Sequence, residues 1–308
     1  MSRSRARNSI DGSGLPMDSL ATIGLGLGME SFCAGAVEDI DLSEDELEAT
    51  QYVQELFSTY RAKEASTSTR PIYLAKQTRV NARHRTILVD WLVDAHRVFR
   101  LLPETLYLCI NLLDRYLSRV EVDRSSLQLV GISCLLIATK YEEVYCLAVA
   151  DCVHVCDKAY SSSDVLEMEW EVLTSLEFDI TVPTSYSFLS RFLKSANADE
   201  RTARLANFLL DGTLQNYKLL QYLPSQLAAA SVMIARKTVV GSAANATIWT
   251  STLQYYTGYT EQEVKHVARA ILKAWEKRQD NCPAVVKKHS LPKFGQIALV
   301  TLPSAGAI

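Results

Sequence analysis

No apolar run in the 308 residues reaches the roughly 18 to 20 that a membrane-crossing helix needs, so no bilayer span is expected. The opening stretch MSRSRARNSIDGSG has no apolar block of the kind a secretory leader carries. Its three arginines imitate a transit peptide, but Asp11 and the glycines that follow favour a plain disordered arm. Excess positive charge is missing too. With 22% charged residues and a formal net charge of −3, the chain lacks the basic footprint of a nucleic-acid-binding protein, and its partners have to be sought in local chemistry. Sustained two-residue alternation is absent, which excludes a half-buried sheet and leaves an all-α protein. Cysteines number seven, an odd count, at 33, 109, 134, 146, 152, 156 and 282. Cys109 and Cys134 sit inside apolar helical runs, so the set is read as reduced core residues of an intracellular protein.

Catalytic signatures are also lacking. GLGLGME at 24–30 follows no strand pattern and has no Lys-Ser/Thr after it, so it is no phosphate loop. In DCVHVCD, Cys152 and Cys156 share a helix face while His154 points elsewhere, so the three do not converge on one zinc ion. The five histidines are scattered, and three are placed on charged helix surface. Glu142 and Glu143 are neighbours, about 100° apart on a helix, a poor arrangement for paired acid and base work. No active site, metal or cofactor is expected.

What the chain does have is helical period from Asp45 to about Lys277, and 48% hydrophobic residues, enough for two cores. RTILVDWLVDAHRVF places Ile87, Leu88, Trp91, Leu92, Ala95, Val98 and Phe99 on one face. Pro103 and Glu104 suit the first turn of a second helix. The next, LQLVGISCLLIATK, is apolar around most of its circumference and must be enclosed by others. VGISCLLIATK at 130–140 lies over LAAASVMIARK at 227–237 at an offset of 97. Ser163, taken as the cap of DVLEMEWEVLTSL, lies over Thr260 of a Thr-x-x-Glu capping box at the same offset. One helical unit used twice is the simplest reading. Pro183 breaks the period, which gives an arm over 1–45, a first unit with a preceding helix over 46–182, and a second unit with its tail over 183–308.

HRTILVDWLVDAHRVFRLLPETLYLCINLLDRYL followed by LQLVGISCLLIATKYEEVY closely resembles the cyclin box, whose typical form reads M-R-x-I-L-x-D-W-L, E-T-L-Y-L, D-R-F/Y-L, L-Q-L-V-G and A-S/T-K-Y/F-E-E. The match runs from about Tyr52 to Leu302, and RPIYL, YLPSQLAAASVMIA, STLQYYTGYTEQEV and KKHSLPKFGQIALVTLP are most similar to the B-type mitotic branch. The resemblance implies two tandem five-helix repeats preceded by an N-terminal helix. It also implies a regulatory subunit, itself no enzyme, that activates a cyclin-dependent serine/threonine kinase as a heterodimer, at G2/M, in nucleus and cytoplasm. It assigns kinase contacts to Lys140, Glu142, Glu169, Phe178, Tyr52 and Leu56, and a structural ion pair to Arg85 and Asp114. Ile87, Leu88, Trp91, Asp94, Leu127 and Gln128 would form a groove for Arg-x-Leu peptides of substrates and inhibitors, with Asp94 drawing the arginine.

Residue by residue, plainer readings stand beside these. Lys140 also suits the negative end of its helix, Glu169 also reads as an exposed helix charge, and core packing also accounts for Phe178 and several groove positions. The chain departs from the pattern at His84, where methionine is usual, and at Cys146-Leu147, where two prolines are. Its arm shows neither an Arg-x-x-Leu destruction box nor a Lys-Glu-Asn box. The competing function is a cyclin-fold adaptor, resembling a transcription factor, that activates no kinase. RQDNCPAVVKK offers such a protein only a modest basic patch.

Overall fold

A computed structural model describes residues 36–41, 50–241, 247–276 and 283–308. Most of the expected arm (1–35 and 42–45), the first residues of the expected first unit (46–49), Cys33, Cys282, the glycine stretch at 24–30 and the start of the basic patch lie outside the described residues. The described residues hold twelve α-helices, a few 3₁₀ turns and no strand. The helices are α1 Val53–Thr67, α2 Ala82–Phe99, α3 Pro103–Arg119, α4 Leu127–Glu142, α5 Val149–Val155, α6 Ser162–Ser175, α7 Ser185–Ser195, α8 Glu200–Leu214, α9 Pro224–Val240, α10 Ser251–Thr257, α11 Glu261–Glu276 and α12 Pro283–His289. They form two five-helix units in tandem, α2–α6 and α7–α11, with α1 before and α12 behind, inside one body spanning Gly35–Ile308.

Each unit is built around a helix too apolar to face water. In α4 every residue from Leu129 to Thr139 is buried, and α2, α3, α5 and α6 surround it. In α9, Leu227 to Ala235 are buried among α1, α7, α8 and α11. Small residues allow the close approach: a Cβ on Gly131 of α4 would lie 2.8 Å from Leu88 Cδ1 of α2. The 97-residue offset holds for α3 and α8, which begin at Pro103 and Glu200, and for α4 and α9, which begin at Leu127 and Pro224. It does not hold for α6 and α11, which begin at Ser162 and Glu261.

Capping side chains set most helix starts. Asn81 and His84 reciprocate at α2, Asp199 receives the Thr202 N–H at α8, and Thr260 reciprocates with Glu263 at α11. The cap of α6 is Ser161, not Ser163, because only Ser161 has an acid three residues on, Asp164, to return the hydrogen bond. At α3, and beside the local Gln226 at α9, a distant carboxylate also serves. Leu102 and Thr105 at the start of α3 both donate to Glu143 Oε1 at 2.6 Å, from the end of α4. At α9, Ser225 donates through its N–H (3.0 Å) and hydroxyl (2.8 Å) to Glu64 of α1, which is buried.

Two buried charge clusters join the units. Arg85 of α2 is fully buried and donates to both oxygens of Asp114 on α3, at 2.6 and 2.7 Å, and to the Leu214 carbonyl of α8 at 2.9 Å. The Tyr73 hydroxyl, from the 3₁₀ turn Pro71–Lys76, donates to the same carboxylate at 2.6 Å. Burial opposes the charge on Arg85, but Asp114 more than offsets it, so the guanidinium stays protonated. The second cluster centres on Asp211 of α8, which receives Lys288 and His289 of α12, each at 2.8 Å, and Tyr107 of α3 at 2.7 Å. Burial alone would raise the Asp211 carboxyl, but Lys288 and His289 hold it well below the usual carboxylate range. His96 and His289 are interior residues, which leaves His84, His154 and His266 as the three outside the core.

Candidate functional site

The C-terminal end of α4 emerges from the core at Lys140, and its charge has a partner waiting. Lys140 Nζ donates to Glu169 Oε1 of α6 at 2.6 Å. The lysine side chain is 44% exposed and the glutamate 11%, so the carboxylate sits at the floor of the surface and the ammonium over it. Glu169 is thus no exposed helix charge. Beside it, Trp170 and Phe178 stack edge to face with ring centroids 5.9 Å apart, and both are exposed. Phe178 is not core: the chain turns there through two consecutive left-handed residues, Glu177 (φ 56°) and Phe178 (φ 56°), which throws the ring outward. Such a conformation costs an ordinary side chain roughly 1–2 kcal/mol per residue.

On the other flank stands α1. Tyr52 lies one residue ahead of the helix and Leu56 in its first turn, both exposed, on the same face as Tyr60. Tyr60 lies close enough to Tyr141 and Glu142 for both to raise its hydroxyl pKa, after burial, the larger cause. Glu142 itself is half-buried, and burial, then Glu104 and Glu143, raise its carboxyl. The six residues expected to contact a kinase therefore lie on α1, the end of α4, and α6 with the turn that follows. Of these, Lys140 and Glu169 are joined through their side chains. The sequence reading missed Trp170, and also Val144 and Tyr145 of the loop after α4, the latter two each 89% exposed. It also missed Glu143, whose duty is to cap α3. Cys146 is exposed in this loop, where the Leu147 N–H donates to Thr139 Oγ1 at 3.3 Å.

A separate groove of about 280 Å³ runs between α2 and α4, lined by His84, Ile87, Leu88, Trp91, Arg124, Leu127 and Gln128. Leu88 and Leu127 form its buried floor, while Ile87 is 58% exposed although it lies on the apolar face of α2. Val98, on that same face, is 60% exposed. Asp94 lies one turn beyond Trp91 on α2, past the residues that enclose this volume. It is half-buried and accepts from Nε and Nη2 of Arg97, both at 3.2 Å. Arg124, which no sequence argument had singled out, is part of the wall.

Among the described residues no group of three or more His, Cys, Asp or Glu side chains is placed to hold a metal ion. Cys152 and Cys156 are buried and His154 exposed, and burial pushes the Cys152 thiol up to about 12 and the Cys156 thiol to about 11, so neither is a ready thiolate ligand.

Comparison with known proteins returns one consistent family. Residues 55–181 match the model for the cyclin N-terminal domain and residues 183–303 that for the cyclin C-terminal domain. The chain is similar to Cyclin-B2-1 of Arabidopsis thaliana, 42% identical over 265 residues, covering 85% of this chain and 61% of that protein. It is likewise similar to the G2/mitotic-specific cyclin-B of Dictyostelium discoideum, 39% identical over 267 residues, with 85% and 60% covered. Against these relatives the chain spans less than two thirds of their length. Among solved structures, the X-ray structure of a viral cyclin from herpesvirus saimiri superposes with a TM-score of 0.64 over 71% of this chain and 96% of the viral one, at 19% identity.

Proposed function

This chain belongs to the cyclin family and is most similar to its B-type members, and from that premise we propose that it binds and activates a cyclin-dependent serine/threonine kinase at the G2/M stage of the cell cycle. The observation that carries the reading is the Lys140–Glu169 pair, set at 2.6 Å among exposed aromatic side chains where α4 leaves the core. A half-exposed ion pair is worth only about 0–1 kcal/mol, so opening it costs little. The ammonium then has three donors for backbone carbonyls of the kinase, and the carboxylate accepts from backbone N–H groups, in charge-assisted hydrogen bonds stronger than neutral ones. Exposed Phe178, Trp170, Tyr52 and Leu56 supply the apolar share, about 1.5–3 kcal/mol for each large side chain fully covered, against an association cost of roughly 4–15 kcal/mol.

The chain supplies no catalytic group of its own in this scheme. It selects the kinase conformation in which the regulatory helix is held inward and its glutamate pairs with the ATP-site lysine, a population shift driven by differential binding. The groove between α2 and α4 is a second docking surface, for leucine-anchored segments of substrates and inhibitors. Capture from a cell extract, followed by a histone phosphorylation assay on the captured material, tests the reading. The full chain is expected to retain kinase activity and the Lys140→Ala/Glu169→Ala variant to lose it with its helical circular dichroism unchanged. Equal capture by both would overturn the assignment, and salt-sensitive DNA binding without any kinase would favour the adaptor.

A further inference from the structure

Little apolar surface holds α1 to the body. Of its fifteen residues only Glu64 and Thr67 are buried, and an isolated helix of about 15 residues is marginal in water. Its attachments are polar and cationic, and they follow one face through Phe57, Arg61 and Glu64. Toward its C-terminal end Glu64 takes the two Ser225 hydrogen bonds, and Arg61 donates to Ser225 Oγ at 2.9 Å and to the Tyr259 hydroxyl at 2.5 Å. Toward its N-terminal end the attachment runs through Arg191 of α7. That guanidinium lies between two rings, with Cζ 4.8 Å from the centre of Phe57 on α1 and 5.1 Å from the centre of Tyr256 on α10. Its edge grips Asp41, Nη1 to Oδ1 and Nη2 to Oδ2, both at 2.9 Å, with both side chains largely buried.

Asp41 belongs to a strap, residues 36–41, that α10 holds by its backbone. The Glu38 N–H donates to Thr252 Oγ1 and the Ile40 N–H to the Tyr256 hydroxyl, each at 3.2 Å, so alternate strap residues meet hydroxyls one helical turn apart. Ser251 Oγ donates to the Ala36 carbonyl at 3.3 Å. Hydrogen bonds from Arg191 hold the Asp41 carboxyl below the usual carboxylate range against burial, and Gln54 of α1 adds to them.

From this arrangement we infer that the strap is a latch for α1: Asp41 fixes the plane of the Arg191 guanidinium, the guanidinium seats Phe57, and Tyr52 and Leu56 are thereby presented to the kinase. Asp41 and Arg191 are positioning residues in this scheme, which rests on the kinase-binding reading. Without the carboxylate, a buried guanidinium turns toward water and the Phe57 ring loses its partner. When the seated fraction of α1 falls to about one tenth, the apparent affinity for the kinase falls about tenfold, while the rate at saturation stays the same.

Amide hydrogen exchange and kinase activation, both measured on the full chain, test this in Asp41→Asn and in Tyr256→Phe, which keeps both charges and the ring but removes the acceptor for Ile40. Asp41→Asn is expected to speed exchange in α1 about tenfold and leave α4 and α9 unchanged. It is also expected to raise the half-activating concentration about tenfold at an unchanged saturated rate, with a smaller shift in the same sense for Tyr256→Phe. Unchanged exchange in α1 overturns the latch. Faster exchange in α1 with an unchanged half-activating concentration overturns the positioning role. If Asp41→Asn also frees α4 and α9, the core has loosened, and Tyr256→Phe decides by the same two criteria. A kinase indifferent to the unaltered chain sinks the functional reading and the positioning role with it, and the latch then stands or falls by exchange alone.

Discussion

Replacing Asp114 with alanine strikes a point where α2, α3, the Pro71–Lys76 turn and α8 are all tied together. The substitution leaves Arg85, fully buried, without a carboxylate and with only the Leu214 carbonyl and the Tyr73 hydroxyl as neighbours in that cluster, and it removes the acceptor of that hydroxyl. Breaking a buried ion pair by removing one member costs roughly 3–5 kcal/mol, and the unpaired hydroxyl adds about 1 kcal/mol. The sum is comparable to the whole stability of many domains, about 5–15 kcal/mol. Asp114→Asn keeps the shape and one acceptor and is expected to cost less. Arg85→Met with Asp114→Leu removes both charges and is expected to destabilise less than Asp114→Ala alone, since no orphaned cation remains. Urea unfolding followed by far-ultraviolet circular dichroism gives the midpoints. An Asp114→Ala cost under about 1 kcal/mol, or a double variant as unstable as the sum of its parts, would refute the reasoning.

Burial, and then Lys288, push the His96 imidazole down to about 4, below its unfolded value near 6.5. Because the folded value is the lower one, the stability gained by keeping this ring neutral is complete above about pH 6.5 and is lost as the pH falls toward 4, roughly 2–4 kcal/mol in all. His96→Gln should flatten the melting temperature across that window; an unchanged slope would remove His96 as its cause. The lowered Asp211 carboxyl acts in the same direction but only below about pH 4, where its unfolded counterpart takes up a proton. Glu143→Ala should cost about 1–2 kcal/mol by uncapping α3, measured as a shift in urea midpoint, and an unshifted midpoint would show that the cap carries no stability.

Periodicity made the two central helices legible, because a helix apolar on every side has one solution, enclosure by others. It did not make their surroundings legible. Ile87 and Val98 fall on the apolar face of α2 yet remain exposed, since a stripe of apolar residues looks the same whether a helix or a passing peptide is meant to cover it. The repeat offset carried the reading from α4 to α9 but failed at α6, where the loops differ in length and three consecutive serines offered three caps; the acid at Asp164 decided for the first. Phe178 was placed at the surface by resemblance and not by pattern, because its outward turn depends on two left-handed residues that no side-chain pattern announces.

Long-range charge was the least visible. Asp211 and His289 are 78 residues apart, and nothing in KKHSLPKF distinguishes a lysine and histidine headed for the interior from a solvated basic tail. The capping role of Glu143 was hidden because the helix start it caps lies 41 positions earlier. Arg124, between α3 and α4, gained meaning only once the groove beside it was in view.

The rate at which a purified, otherwise inactive cyclin-dependent kinase phosphorylates histone, measured with and without the full chain, tests the central claim most directly. The account predicts strong stimulation by the chain and its loss when Lys140 and Glu169 are both alanine. A kinase that stays equally slow in all three conditions would contradict it.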